Sequence, residues 1–166
     1  METGVAGMKI GLVGDTHGSK EALVIIRRVF HDVQLFFHTG DHWKDGVYLE
    51  QETGIPVLTV KGNCDYGSMS SELMFTIKSK KFFLTHGHLY GVKYGLTSLF
   101  ARAQELDVDY CFFGHTHCPL LTKHKGIYFL NPGSLVWSRG KETYAGIILE
   151  YQENNFISRF INIDRE

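Results

Sequence analysis

One pattern recurs five times along this chain and constrains its fold more than any other feature. A short apolar run rich in β-branched and aromatic residues stops abruptly at a polar segment that contains glycine. The runs Ile10–Val13, Leu35–Phe37, Val57–Val60, Phe82–Leu84 and Tyr110–Phe113 lead into five such segments. These are Gly14-Asp15-Thr16-His17, His38-Thr39-Gly40-Asp41, Lys61-Gly62-Asn63-Cys64-Asp65, Thr85-His86-Gly87-His88 and Gly114-His115-Thr116-His117. Continuous apolar runs bounded by turn residues read as buried strands. Helical spacing separates some of them. Ala22, Ile25, Ile26 and Val29 share one helix face behind Ser19 as N-cap, and Leu96, Leu99, Phe100 and Ala103 repeat the pattern. Strands alternating with helices predict an α/β fold with parallel strands, in which ligands bind beyond the carboxyl ends of the strands. All five polar segments lie at that end, so they can converge on one patch.

The last third reads differently. Leu120–Lys123, Gly126–Leu130, Ala145–Tyr151 and Phe156–Asn162 are strand-like with short connections, and Gln152-Glu153-Asn154-Asn155 is a hairpin signal. These segments predict an antiparallel sheet, contributed by the second half and packed on the first. His42–Gln51 and Tyr66–Glu72 read as loops that carry substrate specificity.

Composition sets limits around this frame. A length of 166 residues fits one domain, taken as residues 8–166, with residues 1–7 read as a leader or expression remnant outside the fold. Seventeen basic and 18 acidic residues nearly cancel and form no basic stripe, which argues against a long nucleic acid as partner. Three cysteines without CxxC spacing fit a reducing cytoplasm, and no apolar stretch reaches membrane-spanning length.

The strand ends carry Asp15, His17, Asp41, Asn63, His86, His115 and His117. Two carboxylates, one amide oxygen and four imidazoles make a mixed nitrogen and oxygen donor set. That set suits Mn²⁺, Ni²⁺, Fe or Zn²⁺ more than Ca²⁺. Seven ligands exceed the needs of one tetrahedral ion and suffice for two if one carboxylate bridges. Asp15 and His17, like His115 and His117, are two residues apart, a spacing that points both side chains the same way on an extended strand end.

At these residues the chain resembles the calcineurin-like metallophosphoesterase superfamily. The family's D-x-H, G-D, G-N-x-(D/E), (G/T)-H-G and G-H-(T/S)-H elements all occur here in order. Gly62-Asn63-Cys64-Asp65, Thr85-His86-Gly87-His88 and Asn131-Pro132-Gly133-Ser134 look like the small YfcE-type phosphodiesterase branch. The resemblance implies an αββα sandwich of two facing sheets flanked by helices. It implies one divalent ion held by Asp15, His17, Asp41 and His117 and a second held by Asp41, Asn63, His86 and His115, with Mn²⁺ the favoured metal. It also implies hydrolysis of a small phosphodiester, a nucleotide among the candidates, by a hydroxide that bridges the two ions, and it is compatible with a homo-oligomer. Phosphomonoesterase and dinucleotide polyphosphate hydrolase activities belong to the same superfamily. A non-catalytic protein-binding scaffold of this fold is the reading from another class, and the four metal histidines count against it.

Cys64 stands where many members have the histidine thought to protonate the leaving group. A thiol is a poor substitute for an imidazolium, so Cys64, Asp65 and His88 are carried as candidate catalytic residues, with metal-bound water or no acid at all as alternatives. Asn63 and Arg139 are the candidate substrate-binding residues. Asn131–Ser134 is expected near the metals or as a plain turn, and His38 as a residue that orients a ligand.

Overall fold

The computed structural model describes residues 7–139 and 143–163, so residues 1–6 of the expected leader lie outside the described residues. Among the described residues, ten strands form two five-stranded sheets. The first contains β1 (Lys9–Val13), β2 (Leu35–His38), β3 (Val57–Thr59), β9 (Tyr144–Gln152) and β10 (Asn155–Asn162), in the order β10-β9-β1-β2-β3. The second contains β4 (Glu72–Ile77), β5 (Lys80–Thr85), β6 (Tyr110–Phe112), β7 (Leu120–His124) and β8 (Ile127–Asn131), in the order β4-β5-β6-β8-β7. Helices α1 (Lys20–Val29) and α2 (Trp43–Thr53) cover the outer face of the first sheet, and α3 (Thr97–Glu105) covers that of the second. No helix of the described residues is long and apolar enough to cross a membrane.

The unbroken apolar runs are explained by this layering. In β1, Ile10 and Leu12 face the core between the sheets and Val13 faces the helices; in β2, Phe37 and Phe36 divide the same way. In β5, Phe82 and Leu84 face inward and Phe83 faces α3. A strand buried on both faces has no solvent side to carry polar residues. The centre of the inter-sheet core is aromatic: Phe82 stacks on Tyr110 and Phe75 with ring centroids 4.9 and 5.3 Å apart, and Phe37 and Phe112 close around it. β1, β2 and β3 run parallel in one sheet and β5, β6 and β8 in the other. Their carboxyl ends therefore meet at one rim of the sandwich.

Two expectations are corrected. The last third forms no antiparallel sheet of its own. β7 and β8 join a mixed second sheet, whereas β9 crosses back to pair with β1 in the first. The segment 42–51 is mostly helix, not loop: α2 buries Asp45, Gly46 and Leu49, so its inward face lacks the apolar stripe that marks a helix in sequence. The loop expected at 66–72 forms and gives way at Glu72 to strand β4, which the apolar runs did not mark and which pairs with β5 across a turn in which Lys78 and Ser79 have φ of 50° and 66°. The hairpin at 152–155 forms as expected, with Glu153 and Asn154 both left-handed.

Candidate metal centre

Each candidate ligand follows the end of a strand, and backbone bonds lock the loops together. Asp15 N–H donates to the Gly40 carbonyl at 3.0 Å and His17 N–H to that of Asp41 at 3.2 Å. Buried His38 ties the same two loops by side chain. Its Nδ1 accepts from Gly40 N–H at 3.2 Å, which leaves Nε2 to donate to Thr16 Oγ1 at 2.8 Å. The glycines are required by close approach: a Cβ on Gly62 would fall on the Asp41 carboxylate, and one on Gly114 would lie 2.6 Å from Asp15 Oδ2.

Strand pleat is not what brings the D-x-H and H-x-H pairs together. Asp15, His17, Asp41, His115 and His117 have φ of 48°, 49°, 53°, 70° and 56°, so they lie in left-handed turns and not on extended strand. A non-glycine residue in this region costs on the order of 1–3 kcal/mol and persists where its surroundings dictate it. The two side chains of each pair converge because both residues turn.

The donor atoms meet in two overlapping groups. One atom each from Asp15, His17, Asp41 and His117 lies within 4.8 Å of the others, and one each from Asp41, His86 and His115 does the same. Asn63 joins the second group, with Oδ1 3.1 Å from His86 Nε2. Asp41 belongs to both. Proton accounting shows what the arrangement asks for. His86 Nδ1 donates to the Thr39 carbonyl at 2.8 Å, which leaves Nε2 as a lone pair in the neutral ring. That lone pair faces two further acceptors, Asn63 Oδ1 and Asp41 Oδ2, the latter at 3.3 Å. His17 Nε2 and His117 Nε2 stand 3.3 Å apart, and Asp15 Oδ1 is buried without a hydrogen-bond partner, 3.3 Å from His117 Nε2. Acceptors turned on acceptors in a buried space require positive charge between them. The residues fit a pair of divalent cations.

Without metal that charge falls on protons. Burial opposes ionisation of Asp41, yet the His86 hydrogen bond and charge hold its carboxyl well below the usual carboxylate range. Burial likewise disfavours the His86 cation, but Asp41 and Asp15 raise its pKa. Burial lowers His17, and it lowers His115 to about 4 with help from the His86 and Lys93 charges. The His17 and His115 rings are neutral at pH 7, as ligation demands.

The other candidates separate by position. Asp65 accepts from the backbone N–H groups of Gly62 at 2.8 Å and His42 at 2.7 Å, and also from Trp43. It clamps the Asn63 loop to the Asp41 loop. Cys64 is exposed, its N–H donates to Asp41 Oδ1 at 3.0 Å, and burial and then the Asp41 charge raise its thiol pKa. His88 opens a single 3₁₀ turn 5.4 Å from the His86 ring; its Nδ1 is buried without a partner, and burial lowers its pKa. Arg139 is exposed, with its N–H donating to the His117 carbonyl at 3.1 Å. Asn131–Ser134 lies beside the centre and acts through side chains: Asn131 Nδ2 donates to the Gly114 carbonyl, and Ser134 Oγ to that of Asp15. Asp45, missed in the sequence, holds His42 Nδ1 and Gly18 N–H. Trp137, also missed, packs on His17 with ring centroids 4.1 Å apart. No periodicity or spacing marks either residue.

His38 makes the loop assembly pH-sensitive. Burial lowers its pKa from the ordinary 6.5 to about 4, partly offset by Asp45, Asp15 and Asp65. The unfolded chain takes up this proton below about pH 6.5 and the folded one resists it. Stability is therefore fully present above pH 6.5 and is lost as pH falls toward 4, by about 3 kcal/mol over the window. Urea midpoints of the metal-free protein are expected to fall more steeply there for the wild type than for His38→Gln. Parallel pH profiles would disprove this role.

The model of the calcineurin-like phosphoesterase superfamily domain matches residues 8–154. A probable metallophosphoesterase of Bacillus subtilis, YsnB, is 36% identical over 159 residues, covering 92% of this chain and 90% of the relative. Phosphodiesterase YfcE of Escherichia coli is 34% identical over 98 residues, covering 54% of this chain and 50% of its own length. The crystal structure of a predicted phosphoesterase from Streptococcus pneumoniae matches with a TM-score of 0.79 at 29% identity, covering 95% of this chain and 90% of the other.

Proposed function

Because the chain belongs to the calcineurin-like phosphoesterase superfamily, we propose that it is a phosphodiesterase that works with two divalent ions, preferentially Mn²⁺, on a small diester. The observation that carries this reading is the set of mutually facing acceptors centred on Asp41. Asp15, His17, Asp41 and His117 would hold one ion, and Asp41, Asn63, His86 and His115 the other. Bound there, the ions would supply Lewis-acid activation of water and neutralise charge at the phosphoryl oxygens.

The chain's own part is to aim and to hold. Thr39 fixes the His86 tautomer through its carbonyl, so Nε2 always faces Asp41 and Asn63. The Cys64 N–H fixes one Asp41 oxygen. The raised Cys64 pKa keeps the thiol neutral, which argues against Cys64 as nucleophile. Asp65 is engaged with backbone donors and is poorly placed to serve the leaving group. His88, with its ring 5.4 Å from that of His86, is the remaining side-chain candidate to move a proton at the leaving oxygen.

The test is a substrate panel with purified protein. EDTA is expected to abolish hydrolysis of bis(4-nitrophenyl) phosphate, and Mn²⁺ to restore it, with kcat/KM at least about tenfold above that for 4-nitrophenyl phosphate. Full activity in metal-free protein would end the metal-dependent reading. Preference for the monoester would favour a phosphomonoesterase.

A further inference from the structure

Against the loop that bears His115 and His117 lies a cavity of about 360 Å³ that the proposed reaction leaves unused. Val92, Leu96, Phe113 and Leu120 give it apolar walls, and Lys93 and Arg139 line it as well. The cavity adjoins the metal centre through Thr116 and Cys118. The backbone N–H of Arg139 bonds the carbonyl of His117, on the same loop as His115, at 3.1 Å. Thr116, between those two ligands in sequence, is part of the wall. No acidic residue lines the cavity, and among the described residues no carboxylate forms an ion pair with Lys93 or Arg139.

We propose that this cavity receives the departing substituent of the diester, and that Lys93 and Arg139 select a substituent combining an apolar or planar body with a negative charge. The inference rests on the phosphodiesterase reading and narrows its substrate class. Two cations beside apolar walls offer charge-assisted hydrogen bonds that a neutral substituent leaves unanswered. The walls desolvate the body of the group, while exposed Lys93 and Arg139 meet its charged end. A carboxylate and a phosphate would both satisfy this chemistry.

Two measurements test it. The first titrates isotope-labelled, metal-free protein with 4-hydroxybenzoate, 4-hydroxyphenyl phosphate and neutral 4-hydroxybenzamide. At least one anion is expected to shift the amide resonances of Val92, Leu96 and Thr116 with affinity about tenfold above that of the neutral compound. The tighter anion identifies carboxylate or phosphate as the preferred charge. The double variant Lys93→Ala/Arg139→Ala is expected to lose the difference, and its spectrum reports whether it is folded. The second uses Mn²⁺-loaded enzyme. KM for methyl 4-carboxyphenyl phosphate, or for the ester carrying phosphate in place of carboxylate, is expected about tenfold below that of the methyl 4-carbamoylphenyl ester, the aryl oxide being the group that departs in each. The two values should converge in the double variant. Anions that bind no better than the amide, or a preference that survives the double substitution, would overturn the assignment. Anion binding at the cavity with no ester hydrolysed would uphold the anion site and overturn the phosphodiesterase reading instead.

Discussion

Replacing Asp41 by Asn is expected to lower kcat/KM on a phosphate diester by about a thousandfold or more while the protein stays folded. Asp41 is the one residue shared by both donor groups, so its charge serves two ions at once. An amide keeps the shape and an acceptor oxygen, and can still receive the Cys64 N–H that Asp41 Oδ1 now accepts. It removes the negative charge that faces His86 Nε2 at 3.3 Å. The loss should therefore appear as a fall in bound metal per chain, measured by elemental analysis, together with the fall in rate. Circular dichroism and the urea midpoint should change little by comparison. Near wild-type turnover with two ions still bound would show that Asp41 is not the bridging ligand.

Replacing Phe82 by Ala is expected to destabilise the fold by about 3–5 kcal/mol, against the roughly 5–15 kcal/mol that hold a domain of this kind together. Phe82 is fully buried where the two sheets meet, with five aromatic neighbours: Phe37, Phe75, Tyr110, Phe112 and Phe156. Truncation leaves a void between rigid rings that backbones in two sheets cannot both move to fill. The site depends on this contact. Asp15, His17, Asp41 and Asn63 follow strands of the first sheet, whereas His86, His115 and His117 follow strands of the second. Loosening the packing should weaken metal affinity as well as stability, although Phe82 touches no ligand. Urea unfolding with and without Mn²⁺ measures both effects. A loss below about 1 kcal/mol would mean that the core relaxes around the gap.

The chemistry of this protein is written locally in its sequence. A strand buried on both faces must be apolar throughout, and a metal ligand must carry a particular donor atom. The five runs and the residues after them could therefore be read one segment at a time. Pair spacing led to the right neighbours for an incorrect reason, because a residue type does not disclose that Asp15 or His115 sits at positive φ. That conformation is held by contacts with loops far away in the chain.

The tertiary structure decided everything that depends on which apolar surface meets which. β9 and β10 are as apolar as β7 and β8, and nothing in their composition assigns one pair to each sheet; packing against β1 or against β6 settles it. α2 is a helix because Asp45 and Gly46 fit against neighbouring segments, not because of an apolar stripe. The same holds for the support of the centre. His38, His86, Asp65 and Ser134 make hydrogen bonds to backbone atoms, and any residue in the chain carries those atoms. A sequence names side-chain chemistry; only the fold determines which carbonyl or N–H stands within reach of it.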